Sequence, residues 1–273
     1  MNKAAPIGVF DSGIGGLTVV KELRALMPHE DIIYFGDTAR TPYGSRPPAE
    51  ILCFLREILP FFSAQKVKMA IIACNTMKVL GFEQASGEVP FLLAGVNHGA
   101  QAALAASRNK RIGVIGTAAA INSGKHSQAI KTQEPAATVV SQACPQLVPL
   151  IEQGNFVGPE LESAVRAYLL PLKEAAIDTL ILGCTHYPFI SPVIRSFMGP
   201  DVALIDPARE TAAEVRTTLA YHDKLTTRSQ GQVRLCFSAD LPRAKQFATG
   251  AIEFPWAEEF SPRFELVNLP DYL

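Results

Sequence analysis

An excess of charge of either sign is missing from this 273-residue chain, which sets 25 Lys and Arg against 26 Asp and Glu for a formal net charge of −1. So even a balance leaves no electrostatic footprint for nucleic acid or an anionic membrane surface, and neither is expected as a partner. No stretch approaches the roughly 20 uninterrupted apolar residues of a bilayer-spanning helix. The opening MNKAAPIGVFDSG lacks a signal-peptide core and runs almost at once into a strand pattern. The expectation is a soluble cytoplasmic protein. Cysteine is scarce and unpaired: Cys53, Cys74, Cys144, Cys184 and Cys236 are scattered, with no CxxC among them. That pattern argues against a disulfide framework. It also argues against zinc, because only Cys184 and His186 stand at ligand spacing. No metal is expected, and each thiol is either packed or reactive.

What is present is an ordinary globular composition, 48% hydrophobic and 19% charged, long enough for one large domain or two of usual size. Short apolar runs alternate with helical patterns. PIGVFDSGIGG (6–16) reads as a strand, a glycine-rich loop and a helix start; DIIYFGD (31–37), MAIIACN (69–75) and PFLLAGV (90–96) read as further strands. Between them, Ile51, Leu55, Ile58, Leu59 and Phe62 recur at helical spacing after a Pro-Pro start. RIGVIGT (111–117) begins a second round that ends in TLILGCTHYP (179–188), and QVRLCFSAD (232–240) reads as one more strand. Strand and helix in alternation imply parallel βαβ units with helices on both sheet faces. The fold class expected is α/β, with two similar domains, each a mostly parallel sheet flanked by helices. Residues 1–97 form the first domain, 98–207 the second, and 208–273 return to the first.

Ligands of open α/β sheets lie beyond the carboxyl ends of the strands. Four loops there are rich in polar side chains: DSG (11–13), GDTARTPYG (36–44), CNT (74–76) and CTH (184–186). If the two domains face each other, Cys74 and Cys184 look across one cleft from opposite sides. Inverting a stereocentre by proton transfer needs that arrangement, a base on one face of the carbon and an acid on the other. A cysteine at a strand end is more often a small buried hydrophobe than a nucleophile. Two in parallel contexts, each followed by Thr within two positions, bring the odds to about even. Cys53, in an apolar helix, and Cys236, in a strand, keep the packing reading; Cys144, before a proline, can lie near the cleft. DSGIGG has neither the G-x-G-x-x-G spacing nor a P-loop Lys, and Asp11 within it would repel phosphate. A small zwitterion suits Asp11 beside backbone N–H groups better.

GVFDSGIGGLTV, YFGDTARTPYG, ACNT, GVIGT, ACPQLVPLIEQG and LILGCTHYP, in that order, resemble the bacterial glutamate racemases from residue 7 to about 215. The resemblance implies two pseudo-symmetric α/β domains with the active site in the cleft between them, and no cofactor. It implies racemisation of glutamate by Cys74 and Cys184, supplying D-glutamate for peptidoglycan. Asp11, Ser12, Tyr43, Gly44, Asn75, Thr76, Thr185 and His186 fall on substrate-contact positions of that family, and Glu152 on an acidic position that assists. In physical terms the protein must replace an electron-sink cofactor with desolvation, fixed hydrogen bonds and a close base. A free thiol, pKa about 8.5, would be lowered at a strand-to-helix turn, with Asp11 and His186 relaying protons on the two sides.

The chain departs from the family pattern at Met77, Asn97-His98, Ala120, His126 and Pro207. Two alternatives stay open beside the glutamate reading. One is a two-cysteine racemase of another small amino or hydroxy acid; the other is a non-catalytic carboxylate-binding homologue. A homodimer is compatible with the sequence.

Overall fold

Apolar runs of four to six residues bounded by Gly, Asp or Asn end as strands, and the longer 3.6-periodic stretches between them end as helices. The structure, a computed structural model, describes residues 2–250 and 262–272. Along the first stretch run β1 (Ile7–Asp11), α1 (Leu17–Leu26), β2 (Ile32–Gly36), α2 (Pro48–Ala64), β3 (Met69–Ile72), α3 (Asn75–Ala85) and β4 (Leu92–Gly95). The second stretch contains α4 (Ala100–Ala106), β5 (Arg111–Gly116), α5 (Ala118–Asn122), α6 (Lys125–Gln133), β6 (Thr138–Ala143) and α7 (Leu147–Glu152). It continues with α8 (Pro159–Glu174), β7 (Thr179–Gly183), a 3-10 turn over Tyr187–Ile190, α9 (Ser191–Met198) and β8 (Ala203–Ile205). The last stretch holds α10 (Ala208–Tyr221), β9 (Val233–Phe237), α11 (Leu241–Gly250), β10 (Arg263–Leu266) and a 3-10 turn over Leu269–Tyr272.

Two compact units result, one of Met1–Val96 with Thr211–Leu273 and one of Asn97–Glu210. The first carries a sheet ordered β10-β9-β2-β1-β3-β4, the second a sheet ordered β6-β5-β7-β8. Every pairing in both is parallel. The order β2-β1-β3-β4 and the order β6-β5-β7-β8 are the same path traced twice, so β1 corresponds to β5 and β3 to β7. The first unit alone extends its sheet, β9 pairing with β2 from Ile32↔Val233 to Gly36↔Phe237. Periodicity alone did not place β9, because strand partners are a long-range choice.

Strands buried on both faces read as continuous apolar runs, and β1, β2, β3 and β7 are buried at every residue. Between the first sheet and α2 lies a core of Phe10, Phe35, Phe54, Phe61, Phe62, Ile51, Leu55 and Ile58. Cys53 corrects the sequence expectation of a packed thiol. It is exposed, because Ile51, Phe54, Leu55 and Ile58 define the buried stripe of α2 and residue 53 falls out of phase with it.

Below the first sheet, Lys68 and Glu30 form an ion pair with side chains 0% and 3% exposed. Lys68 Nζ also donates to the Lys3 carbonyl at 2.7 Å, and Glu30 Oε1 accepts from Thr226 N at 2.9 Å. The pair therefore fastens the amino-terminal residues and the 224–232 segment to the same point. Removing one partner leaves a buried charge uncompensated, which costs about 3–5 kcal/mol. Lys68→Met should lower thermal stability by that amount, and adding Glu30→Leu should restore much of it. A single variant that melts like the parent would show the pair to be inconsequential.

Candidate functional site

In the first unit β1 and β3 end side by side, Phe10 opposite Ile72, and the chain beyond each turns into a helix. Cys74 is the N-cap residue of α3, its carbonyl accepting Lys78 N at 2.9 Å. Its thiol, 6% exposed, thus stands at the positive end of an eleven-residue helix, where a thiolate is favoured. Asn75 and Thr76, the first residues of that helix, are 3% and 2% exposed. The Asn75 amide oxygen is buried and accepts no hydrogen bond within the protein. An orphaned buried acceptor costs free energy unless a donor reaches it, and an ammonium group is such a donor.

Asp11 closes β1 and is 1% exposed. Its Oδ1 accepts from Gly13 N at 3.2 Å and from Ser12 Oγ at 3.4 Å, so the Gly13 N–H of the glycine loop is turned toward the carboxylate. Gly16 explains the loop's composition. A Cβ there would lie 2.7 Å from Asp11 Cβ and 3.2 Å from Ala73 Cβ, so only glycine lets α1 start so close to both strand ends. Tyr43 is 1% exposed and donates its hydroxyl to Asp37. Burial, then the Asp37 carboxylate and its hydrogen bond, hold that phenol well above its ordinary pKa, and a charge on Cys74 pushes the same way. Tyr43 is therefore a neutral donor near the Cys74 thiol, and Gly44 beside it is half-buried.

Asp37 escaped the sequence reading. It accepts from Tyr43, from Arg40 Nε at 2.6 Å and from Ser238 Oγ at 2.8 Å. The 37–46 loop is thereby shaped around one carboxylate and joined to the end of β9. The signal was present in GDTARTPYG, but the Ser238 partner lies 201 residues away.

In the second unit β7 ends in Gly183, and Cys184 follows it, 6% exposed. The strand does not lead directly into an α-helix. Thr185, 7% exposed, and His186 precede a single 3-10 turn, with α9 beyond. Cys184 has a charge relay in place of a long helix: His186 Nδ1 lies 3.8 Å from Cys184 Sγ, and His186 Nε2 lies 2.6 Å from Glu152 Oε1. Burial by itself would disfavour the imidazolium. The hydrogen bonds to Cys184 and Glu152 and their negative charges outweigh it, so His186 is held well above its ordinary pKa. Glu152 closes α7 and reaches His186 across a separation of 34 residues.

Cys144 also lies in this neighbourhood, fully buried, its N–H bonded to Gly116 O at 2.9 Å. Burial, reinforced by nearby Cys184, pushes its thiol up to about 12, so it is a packed neutral thiol. Burial does the same to Cys236, also to about 12. Thr117 was missed by sequence reasoning: with Gly116 opposite Gly183, it stands beside Cys184 at the start of α5, 8% exposed. The echo of the first glycine loop in GVIGT was its only signal. Met77 is fully buried in the first unit's core. Among the described residues no cluster of three or more His, Cys, Asp or Glu could hold a metal ion, and no helix is long and apolar enough to cross a membrane.

The Asp/Glu/hydantoin racemase family profile matches residues 17–215. A glutamate racemase of Gloeobacter violaceus is 42% identical over 264 residues, 97% of this chain and 96% of that one. One from Trichormus variabilis is 50% identical over 205 residues, 75% of this chain and 70% of the relative. Among solved structures, a glutamate racemase isoform of Bacillus anthracis superposes with TM-score 0.90 at 34% identity, covering 98% of this chain and 99% of that one. The glutamate racemase of Francisella tularensis in complex with D-glutamate gives TM-score 0.86 at 34% identity, covering 99% and 100%.

The raised proton affinity of His186 has a checkable source. Glu152→Gln should bring the imidazole titration down toward its ordinary value near 6.5, followed by NMR of the ring protons. Because the folded value lies above the unfolded one, proton binding by His186 stabilises the fold fully below about pH 6.5. That contribution is lost as the pH rises through the folded value, and the variant should flatten it in pH-dependent thermal melts. An unchanged titration would mean that Glu152 does not hold the proton.

Proposed function

The chain belongs to the Asp/Glu/hydantoin racemase family, and we propose that it interconverts L- and D-glutamate by two-thiol proton transfer at the α-carbon. The observation that carries this reading is topological. Cys74 and Cys184 follow corresponding strands, β3 and β7, of two sheets with the same strand order.

In the reaction, one thiolate removes the α-proton from one face and the other thiol delivers a proton to the opposite face. The electron pair left by the broken C–H bond is taken up by the new one. One turnover leaves the two sulfurs with exchanged protonation, which is the state required by the other enantiomer. An α-proton of an amino acid is very weakly acidic, so the carbanionic transition state depends on desolvation and preoriented donors. Low exposure of both thiols supports the first requirement. Ser12, Thr76 and Thr185 are the neutral donors for carboxylates, and the Asn75 amide oxygen suits the ammonium. Tyr43 shapes the Cys74 side through Asp37, and Gly44 supplies backbone beside it. Proton handling differs on the two sides: Asp11 and the α3 terminus serve Cys74, His186 and Glu152 serve Cys184.

D-Glutamate produced this way enters peptidoglycan, which places the reaction in the cytoplasm. Cys74 belongs to the first compact unit and Cys184 to the second. Neither metal nor pyridoxal phosphate takes part in the chemistry so described.

Conversion of L-glutamate, followed by circular dichroism, tests the activity. It should persist after chelator treatment and dialysis; loss with recovery on adding a metal or pyridoxal phosphate would end the two-thiol account. Cys74→Ala and Cys184→Ala should each abolish racemisation while leaving glutamate binding largely intact. Normal turnover by either variant would rule out two-base chemistry. Asp11→Asn should lower turnover by about 10²–10⁴-fold, the usual range for lost acid–base assistance, at nearly constant melting temperature. A large loss of stability at full activity would make Asp11 a structural loop residue.

A further inference from the structure

His126 and His98, two of the positions at which the sequence departs from its family pattern, meet in the second unit. Their ring centroids are 4.8 Å apart and the planes cross at 73°, an edge-to-face contact. His126 is 2% exposed and lies in the first turn of α6, just after Gly124, whose φ of 67° turns the chain into that helix. Its ring packs on the backbone of the last residue of β7. A Cβ built on Gly183 would stand 3.1 Å from His126 Nε2 and 2.7 Å from Ile115 O. Gly183 is therefore sandwiched between its neighbouring strand and an imidazole, and the next residue is Cys184.

His98 comes from the segment by which the chain enters this unit, just after Asn97. That segment is fixed in its own right. Gly99 N donates to Asn97 Oδ1 at 2.6 Å, and Gly99 adopts φ 72° at the start of α4. A Cβ on Gly99 would lie 3.2 Å from Ile181 Cγ2 and 3.3 Å from Pro207 Cγ. One turn further on, Ala102 N donates to Glu210 Oε1 at 2.8 Å. The entering and leaving segments of the unit are thus bound to each other and to β7, and the histidine pair joins the first of them to the end of that strand.

We infer that His126 is a positioning residue for Cys184, its ring fixing the Gly183–Cys184 backbone and held in turn by His98 of the entering segment. This rests on the racemase reading for its kinetic consequence, but not for its structural one. A thiol delivering a proton must sit within a near-attack distance, and a displacement of about 1 Å costs on the order of 10²-fold in rate. The ring acts by shape, so phenylalanine should replace it better than alanine does.

Two measurements on full-length His126→Ala, His126→Phe and His98→Ala test this. The first is alkylation by iodoacetamide, with Cys184 and Cys74 followed separately by peptide mass spectrometry. His126→Ala should change the Cys184 rate severalfold and leave Cys74 unchanged; His98→Ala should do so less, and His126→Phe should resemble the parent. Equal changes at both thiols, or none at Cys184, would overturn the inference whether or not the chain racemises glutamate.

The second uses α-deuterated glutamate. In His126→Ala, kcat/KM should fall about 10–100-fold. The substrate isotope effect should rise for the enantiomer whose α-hydrogen Cys184 removes and fall for the other, because reprotonation from Cys184 then limits that direction. A general loosening of the fold would move both enantiomers alike and would refute a role specific to Cys184. A parent protein with no racemisation but with the selective change in alkylation would overturn the activity and leave the positioning role standing.

Discussion

A central parallel strand that runs out of residues beside a glycine-containing neighbour is the constraint on which this molecule is built. At that edge the peptide groups of the strand have finished their ladder, and the next residue has an orientation fixed by two flanking strands. β3 ends beside β1, and β7 ends beside β5; in each case the next polar-capable side chain is a cysteine within two residues. Rigid strands hold such groups more accurately than loops do. The apolar runs ahead of both cysteines therefore fix where the thiols stand, because they bury β3 and β7 at every position.

Equal placement does not give equal electrostatics. Cys74 caps an α-helix and has Asp11 at the end of the adjacent strand. Cys184 precedes only a 3-10 turn and has a histidine held by a glutamate. One side has a field from aligned peptide dipoles, the other a field from an imidazolium. They differ in what can be titrated: the helix cannot lose its charge, whereas His186 can.

Support for the Cys74 side comes from carboxylates of the same unit that sequence order does not pair. Asp37 gathers Arg40, Tyr43 and Ser238, and at the amino-terminal ends of β2 and β3 in the same sheet Glu30 with Lys68 gathers Lys3 and Thr226. Arg40 also stacks on Phe54, 4.0 Å from its centroid, so the loop that carries Tyr43 and Gly44 is packed as well as hydrogen-bonded. Such a loop is costly to rearrange, as a site requiring fixed donors demands.

Local chemistry was legible in the residues themselves. Alternating apolar runs and 3.6-period stretches determined an α/β class with parallel sheets, because burial on both faces leaves continuous Val, Ile, Leu and Phe runs in β1, β2 and β7. His186 stands two residues from Cys184, so its proximity to the thiol was available from the chain alone. Cys53 was misread because an apolar helix has an outer face, and phase, not composition, decides which side a residue takes. Tertiary structure decided what distant segments do to one another. It joined Glu152 to His186, Ser238 to Asp37, β9 to the open edge of β2, and His98 through His126 to the backbone before Cys184. None of these contacts leaves a periodic trace, because each is fixed by where whole strands and helices come to rest once the apolar area is buried.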